Sequence, residues 1–280
     1  MSGSGVLVTG ATGTTGTYIC EYLADAGARV VAASRGGAGP HGSQGVRFDW
    51  HDPATFDVAL VDVDRMYVIA PSDEADPLVV MRPFLTRARA GGVGRAVLQS
   101  SSILAAGDPG LGRVHAAIAE MFPDWAVLRP SWFMQNFSGD HPHGRAIRER
   151  GVITTATGKG RVGFIDVRDI ARVAARVLVD DVAVNGDAIL TGPEALSYDD
   201  VAAILSRTFG RAVTHVDAGE DRMREIYSAD GTSDAYAAML ATLDGLIARG
   251  AEDRVTDHVL RLSGTAPTSF AEFASEMGWA

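Results

Sequence analysis

Three regularly spaced glycines follow the first apolar segment of the chain. Gly10, Gly13 and Gly16 stand between the apolar run Val6–Thr9 and the stretch Thr14–Ala26, whose apolar residues have helical spacing. Glycine lets the backbone turn sharply and lets a phosphate approach the main chain, and a helix N-terminus offers free N–H groups. This pattern predicts a dinucleotide-binding loop; the alternative is a glycine turn with a structural role alone. The residues expected to bind the cofactor here are Gly10, Thr12, Gly13, Thr14, Thr15 and Gly16.

The residues that follow the second predicted strand bear on the choice of cofactor. An NAD-selective site carries an acidic residue at about this point, which holds the ribose 2′-hydroxyl. This chain has Ser34 and Arg35 there, and both can bind a 2′-phosphate through charge-assisted hydrogen bonds. We therefore predict NADPH as the cofactor, with NADH as the alternative. The competing interpretation of Arg35 is a solvated loop charge.

Further cofactor contacts are expected at the ends of later strands, because ligands of open parallel sheets bind outside the carboxyl ends of the strands. Asp49 is placed to accept a hydrogen bond from the adenine amino group, and its alternative role is to cap a helix that begins at Pro53. The other residues expected to contact the cofactor are Trp50, Ile69, Ala70, Pro71, Ser100, Pro130 and Trp132.

The usual catalytic pair of a short-chain reductase, a tyrosine four residues before a lysine, is absent from the sequence. None of the 6 tyrosines has a lysine at that spacing, and Lys159, the single lysine among 25 basic residues, is preceded there by Thr155. The corresponding region still carries polar groups. Ser102 follows the fifth strand, and His115 can donate or shuttle a proton near neutral pH. We predict both as catalytic; packing or capping of its helix is the alternative for His115.

An aromatic segment follows the sixth predicted strand and favours a pocket for a flat ligand. Small-molecule pockets are lined by such polarizable side chains, although ordinary core is the alternative, and we expect a mixture of the two. The residues predicted to bind substrate are Trp132, Phe133, Met134, Asn136 and Phe137. The nearby Asp140–His143 segment has two histidines around a proline, and we predict no metal site there.

The elements that must position these residues alternate between strands and helices. Continuous apolar strands separated by helical stretches such as Pro77–Ala90 and Leu111–Phe122 predict an α/β fold, a Rossmann-type doubly wound parallel sheet covered on both faces. The predicted strands are Val6–Thr9, Arg29–Ala33, Val46–Phe48, Met66–Ile69, Ala96–Leu98 and Ala126–Leu128.

Beyond residue 130 the pattern changes. We expect residues 1–130 to form the NAD(P)-binding domain and 131–280 to form mainly a smaller C-terminal α+β substrate-binding part, with 167–190 returning to the main sheet. The predicted helices are Ala146–Arg150, Val167–Val179, Tyr198–Phe209 and Ser233–Arg249, and the predicted strands are Val152–Thr154, Ala188–Leu190 and Val213–Val216.

Composition excludes several classes of partner. A net charge of −10 argues against a nucleic-acid-binding face, and no segment approaches the roughly 18 apolar residues of a membrane span. The single cysteine, Cys20, and the absence of a charged region before an apolar run at the N-terminus lead us to expect a cytoplasmic protein. The expected partner is a small molecule. The oligomeric state stays open, a homodimer included.

Several segments together resemble the NmrA-like atypical short-chain dehydrogenases, and within them most closely the festuclavine dehydrogenase branch of ergot-alkaloid biosynthesis. The segments are Thr9–Gly16, Phe48–Trp50, Gly112–His115, Leu128–Phe137 and Gly192–Val201. The resemblance implies an NADPH-binding domain, a small C-terminal substrate domain and hydride transfer to small molecules. The family also includes quinone reductases and catalytically silent redox-sensing regulators, so the substrate does not carry over.

The missing Tyr–Lys pair narrows the chemistry. Reduction of a simple ketone produces an alkoxide that needs a proton donor. A cyclic iminium is neutralised by hydride, and a quinone or hydroxyquinone delocalises the added charge. We therefore expect an NADPH-dependent oxidoreductase that acts on an electron-poor polycyclic or aromatic molecule in specialised metabolite biosynthesis. The alternatives are a non-catalytic NADP(H)-sensing regulator that binds a protein partner, and a redox-neutral epimerase or cyclase.

Overall fold

The secondary structure of the chain is mixed α/β in the computed structural model, which describes residues 5–71, 74–229, 231 and 233–278. The strands are β1 (Gly5–Thr9), β2 (Val30–Ser34), β3 (Gln44–Arg47), β4 (Val63–Val68), β5 (Arg95–Gln99), β6 (Asp124–Pro130), β7 (Val152–Thr155), β8 (Arg161–Val162), β9 (Gly186–Leu190), β10 (Leu196–Ser197) and β11 (Thr214–Asp217). The helices are α1 (Thr14–Asp25), α2 (Phe56–Ala59), α3 (Pro77–Ala90), α4 (Leu111–Met121), α5 (Pro142–Arg150), α6 (Val167–Val179), α7 (Tyr198–Phe209), α8 (Glu220–Ala229), α9 (Asp234–Ala248), α10 (His258–Ser263) and α11 (Phe270–Glu276).

Seven strands form one sheet in the order β3-β2-β1-β4-β5-β6-β9. Every neighbouring pair in it is parallel. The chain winds outward from β1 in both directions, which is the doubly wound Rossmann-type arrangement predicted from the sequence. All residues of β1 and β2 are buried, because helices cover both faces of a parallel sheet. The predicted fold class is therefore confirmed.

The chain divides into two compact units. The first comprises the chain up to Pro130 together with Val167–Leu190 and His258–Thr265, and the second comprises Ser131–Asp166, Thr191–Asp257 and the chain from Ala266 onward. The first unit thus contains the seven-stranded sheet and helix α6, which packs against α1 and α10. The segment 167–190 returns to the sheet through β9, the strand beside β6.

A buried arginine joins two elements of the first unit. Arg95 begins β5, and its guanidinium donates to the backbone carbonyls of Val177 at 3.1 Å and of Asp180, at the end of α6. It also pairs with Asp124 at 3.3 Å. Positive charge at a helix C-terminus is favourable because unpaired carbonyls carry partial negative charge there. This contact fixes the end of α6 at the amino edge of β5.

The second unit has a small core with two short sheets, in which β7 pairs with β11 in parallel and β8 pairs with β10 antiparallel. Phe137, Phe164, Tyr198 and Phe270 form edge-on ring contacts in its core. Helix α7 begins with a capping box at Ser197, which satisfies its first N–H groups. Among the described residues, no helix is long and apolar enough to cross a membrane.

Candidate cofactor-binding site and catalytic edge

The glycine loop forms a cradle that leaves the first turn of α1 open. Gly10 has a positive φ of 64°, a conformation that favours glycine, and a Cβ on Gly16 would collide with the carbonyl oxygen of Gly10. Gly13 is the N-cap residue, so no side chain caps the helix and the first turn carries no acidic residue. The free N–H groups and the helix dipole therefore face a space suited to a phosphate.

Thr9 begins the loop segment Thr9–Gly16 but was not among the predicted cofactor contacts. Its buried hydroxyl accepts a hydrogen bond from the N–H of Ile69 at 2.8 Å and donates to the carbonyl of the same residue at 3.2 Å. This pair of bonds ties the end of β1 to the residue that follows β4. Ile69 also packs against Gly10: a Cβ placed on Gly10 would lie 3.3 Å from the Cδ1 of Ile69. A threonine that ends an otherwise apolar buried strand was the available signal.

The predicted 2′-phosphate residues differ in their surroundings. The Ser34 hydroxyl is buried and donates to the carbonyl of Ala38 at 2.6 Å, so it shapes the loop. Its contact with the 2′-phosphate stays a prediction. Arg35 is exposed at the carboxyl end of β2. Its contact with the phosphate stays a prediction.

Asp49 does not cap the helical turn that begins at Pro53. Its Oδ1 accepts from the N–H of His51 at 2.9 Å, and the capping role belongs to Asp52, which accepts from the N–H of Ala54 at 3.2 Å. The capping interpretation of Asp49 is wrong, and the adenine contact stays a prediction. The half-buried Ile69, Ala70 and Pro71 follow β4.

The Trp50 ring packs against the core next to Asp49. Its ring meets Phe48 and Phe84 edge-on, with centroids 4.8 and 5.4 Å apart respectively. The half-buried ring is therefore held in a fixed orientation beside the end of β3. Its predicted contact with the cofactor stays untested.

Two buried polar atoms at the carboxyl edge of β5 and on α4 lack partners. Within the described part of the chain, neither Ser100 Oγ nor His115 Nδ1 makes a hydrogen bond. Such groups are rare in folded proteins because burial without a partner costs about 1–3 kcal/mol. The unpartnered Ser100 hydroxyl, together with the glycine cradle, fits a bound dinucleotide at this edge of the sheet.

The surroundings of His115 favour a neutral imidazole. The side chain is buried and its ring lies 6.0 Å from that of Trp125. Burial lowers the pKa of His115, Asp187 opposes this effect and Arg129 reinforces it. A neutral histidine donates one N–H but is a poor acid for full proton transfer. Ser102, the other predicted catalytic residue, is buried, and both catalytic roles stay predictions.

Arg129 holds the loop after the carboxyl end of β5, where the predicted catalytic residue Ser102 lies. It was not singled out from the sequence. It lies on β6 with its side chain only 14% exposed, and it pairs with Asp187 at 2.6 Å. It also donates to the backbone carbonyls of Ser102 at 2.9 Å and Ser101 at 3.4 Å. A charged residue inside an apolar strand was the signal that could have found it. Through these bonds Arg129 holds the loop that follows β5.

The aromatic segment is a mixture of core and half-buried residues. Met134 is buried, and Phe137 is fully enclosed, with ring centroids 5.2 Å from Phe164 and from Phe270. Both pack in the core of the second unit, and their predicted contact with a substrate stays a prediction. The residues that keep partial exposure are Trp132, Phe133 and Asn136.

Lys159 lies on the surface of the second unit. Its ammonium donates to Asp199 at 2.5 Å while its side chain stays 89% exposed. The pKa of Lys159 is raised by this hydrogen bond and by the negative charge of Asp199.

Within the described part of the chain, no group of three or more His, Cys, Asp or Glu side chains could hold a metal ion.

Comparisons with known proteins agree with this geometry. Residues 6–103 match the NAD dependent epimerase/dehydratase family. The chain is 43% identical to the uncharacterized oxidoreductase YesF of Bacillus subtilis over 96% of its length and 94% of the relative. It is 38% identical to agroclavine dehydrogenase of Claviceps fusiformis over 97% of its length and 96% of the relative. The NADPH-dependent quinone oxidoreductase QOR2 of Escherichia coli, solved with NADPH, superposes with a TM-score of 0.82 at 26% identity, over 96% of this chain and 98% of that chain.

Proposed function

The chain belongs to the NmrA-like family of atypical short-chain dehydrogenases/reductases, whose members include the agroclavine and festuclavine dehydrogenases, and from this premise we propose that it reduces an electron-poor polycyclic or aromatic molecule. It is an NAD(P)H-dependent oxidoreductase and its cofactor is NADPH. The proposed acceptor is a quinone, a hydroxyquinone or a cyclic iminium, in specialised metabolite biosynthesis.

The residues of the first unit supply binding and orientation, and NADPH supplies the hydride when it is bound. The N–H groups at the start of α1 would receive the pyrophosphate, since Gly13 leaves them uncapped. Arg35 would receive the 2′-phosphate. The loop held by Arg129 fixes the backbone at the carboxyl edge of β5. Orientation of this kind contributes much of the rate in hydride transfer.

One observation carries the choice of acceptor. None of the 6 tyrosines precedes a lysine by four residues, and the single lysine, Lys159, is bound to Asp199. An acceptor that stabilises the added charge by itself does not require a strong proton donor. Two relatives are named for agroclavine or azo compounds and not for simple ketones: agroclavine dehydrogenase and NAD(P)H azoreductase of Xenophilus azovorans, which is 32% identical over 96% of the chain.

The test is NADPH consumption, followed by absorbance, on a matched panel of acceptors. The panel contains quinones, cyclic iminium salts and simple aliphatic ketones. We expect turnover of at least one of the first two classes and at least about a hundredfold lower kcat/KM on the ketones, because proton donation contributes roughly that much or more. Tight NADPH binding without turnover on any acceptor would instead support the sensing regulator, and efficient ketone reduction would contradict the proposed acceptor class.

A further inference from the structure

The second unit contains a cavity of its own, with a volume of about 320 Å³. Its wall is formed by residues of α5, α8 and β7, all of which belong to the second unit. Of the described residues predicted from the sequence to bind cofactor or substrate, none lines it. The volume lies at the lower end of the range of small-molecule pockets. The cavity is therefore large enough for a ligand of two or three fused rings.

The less exposed part of the wall is apolar. Ala146 contributes from α5, and Met223 and Ile226 contribute from one face of α8. Residues three apart on a helix share a face, so two helix surfaces confront each other across the space. Methionine has a polarizable sulfur and makes favourable contacts with aromatic rings. This wall suits a flat aromatic body.

The more exposed charged residues of the wall, Arg145, Glu149 and Arg150, are called the mouth of the cavity. Among the described residues that line the cavity, they provide two positive charges and one negative charge. Glu149 is 3.8 Å from Arg150, whose side chain is 66% exposed, and Arg145 donates to the carbonyl of Asp140 at 3.0 Å. In a chain with a net charge of −10, two guanidinium groups beside one apolar cavity favour an anion, because guanidinium donates paired hydrogen bonds to the oxygens of carboxylates and other oxyanions.

The remaining polar side chains of the wall are uncharged at neutral pH. His143 stacks on Phe137 with an interplanar angle of 17°, and burial lowers its pKa to about 3. The Tyr227 hydroxyl is directed at Asp244, 3.5 Å away on α9. The wall thus also offers uncharged hydrogen-bonding groups. Among the described residues that line the cavity, the positive charge comes from Arg145 and Arg150 alone.

We propose that this cavity binds a planar aromatic anion. Its rings would lie between Ala146, Met223 and Ile226, and its carboxylate or sulfonate would meet Arg145 and Arg150. The site is separate from the proposed reductase activity, since its wall shares no residue with the cofactor loop or the half-buried aromatic residues after β6.

The probe for this site is anilinonaphthalene sulfonate, an anion with a flat naphthalene ring system that fluoresces in apolar surroundings. The full-length protein is first saturated with NADPH, so that the dinucleotide site is occupied, and the dye is then titrated by fluorescence. We expect saturable binding. Ala146→Trp fills the cavity and Arg150→Glu reverses charge at its mouth, and each should weaken binding at least about tenfold. The uncharged parent, anilinonaphthalene, should bind about tenfold more weakly than the sulfonate.

The matched control is Arg148→Glu. Arg148 lies on the same helix and donates to the carbonyl of Gly139 at 3.1 Å, much as Arg145 donates to Asp140, but it does not line the cavity. This variant should bind the dye like the parent protein. Unchanged affinity in Arg150→Glu, an equal loss in Arg148→Glu, or equal binding of the uncharged dye would overturn the proposal. Because Arg150→Glu alters an exposed residue, it keeps the test valid even where Ala146→Trp fails to fold.

Discussion

At the scale of single residues, the charge of Arg35 is expected to select the phosphorylated cofactor. Arg35 is exposed at the end of β2, and Ser34 beside it already donates to Ala38. Arg35→Ala should therefore raise the Kd of NADPH about 10- to 100-fold, the worth of a charge-assisted contact, and change the Kd of NADH less than about threefold. Isothermal titration calorimetry with both cofactors measures this. Equal losses for the two cofactors would contradict the assignment.

Arg129 is expected to act as a positioning residue for catalysis. Its bonds to Asp187 and to the carbonyl of Ser102 need the planar guanidinium, which lysine does not reproduce. Arg129→Lys should lower kcat about tenfold, since small displacements at a reacting centre are costly, with less than about a threefold change in KM for NADPH.

Arg95→Lys is the matched control for Arg129. Arg95 is also buried and also donates to backbone carbonyls, but at the amino edge of β5. We expect it to lower the Tm by several degrees, as about 1–2 kcal/mol of lost stability would, and to leave kcat unchanged. If both variants lose kcat in proportion to their stability, Arg129 is only a structural residue.

The sequence identified residues by type and spacing, but it could not tell which apolar side chains belong to the core. The glycines could be predicted because a turn with a positive φ and a collision at Gly16 leave few alternatives. Met134 and Phe137 have side chains as suitable for a pocket as for a core, and their burial depends on residues distant in the chain. Thr9 and Arg129 form hydrogen bonds with backbone groups of distant segments, and no local sequence pattern predicts such bonds.

At the scale of elements, the N-terminus of α1 lacks a stabilising side-chain cap, and its N–H groups are therefore available to an anion. Gly13 at the N-cap provides no side-chain acceptor, whereas aspartate there would cap the helix and repel a phosphate. Gly13→Asp should weaken NADPH binding at least about a hundredfold, because the anion site is lost. Its Tm should fall no further than the Tm of Gly13→Ala, which serves as the control.

The alanine control separates charge from volume at this position. A Cβ on residue 13 would lie 3.2 Å from the carbonyl oxygen of Gly10, a crowded contact common to both variants. Gly13→Ala should therefore weaken NADPH binding much less than Gly13→Asp. Fluorescence titration with NADPH and a thermal melt of each variant measure the two effects. Similar affinities in the two variants would show that volume, not charge, governs the loop.

Helices with strong local signals were predictable and short polar ones were not. The predicted Pro77–Ala90, Val167–Val179 and Tyr198–Phe209 coincide with α3, α6 and α7. Proline at the start of α3 and the capping box of α7 mark their first residues. Helix α8 was missed because its apolar residues, Met223, Ile226 and Tyr227, cover little more than one turn of a mostly charged segment. Helix α10 has 6 residues, too few for a periodic pattern.

At the scale of the whole molecule, chain order and spatial order diverge. The sheet takes β9 from beyond residue 180, and α10 returns to the first unit from the C-terminal part of the chain. The sequence led us to expect the return of 167–190 to the main sheet. The second return was not predictable, because α10 joins through His258, whose Nδ1 lies 2.9 Å from the carbonyl of Ile189, a contact between segments 69 residues apart.

The pH dependence of stability provides the last prediction, and it concerns Asp244. This carboxylate is 5% exposed and accepts from the N–H of Ala156 at 2.9 Å. Burial raises its pKa from 3.8 to about 6, helped by Glu220 and Asp217. Because the folded state binds this proton more tightly than the unfolded state, its contribution to stability is present below about pH 4 and is lost as the pH rises through 6.

Asp244→Asn removes this charge and keeps an oxygen that can accept from Ala156. We expect the variant to be more stable than the parent by about 2–3 kcal/mol at pH 8, and by an amount that shrinks towards zero near pH 4. Urea unfolding at the two pH values measures the difference. The pKa of His143, which burial lowers to about 3, acts in the opposite direction, but it is common to both proteins and cancels. A constant difference in stability between the two proteins across this pH range would mean that Asp244 does not change its protonation state. Its burial would then not make the stability depend on pH.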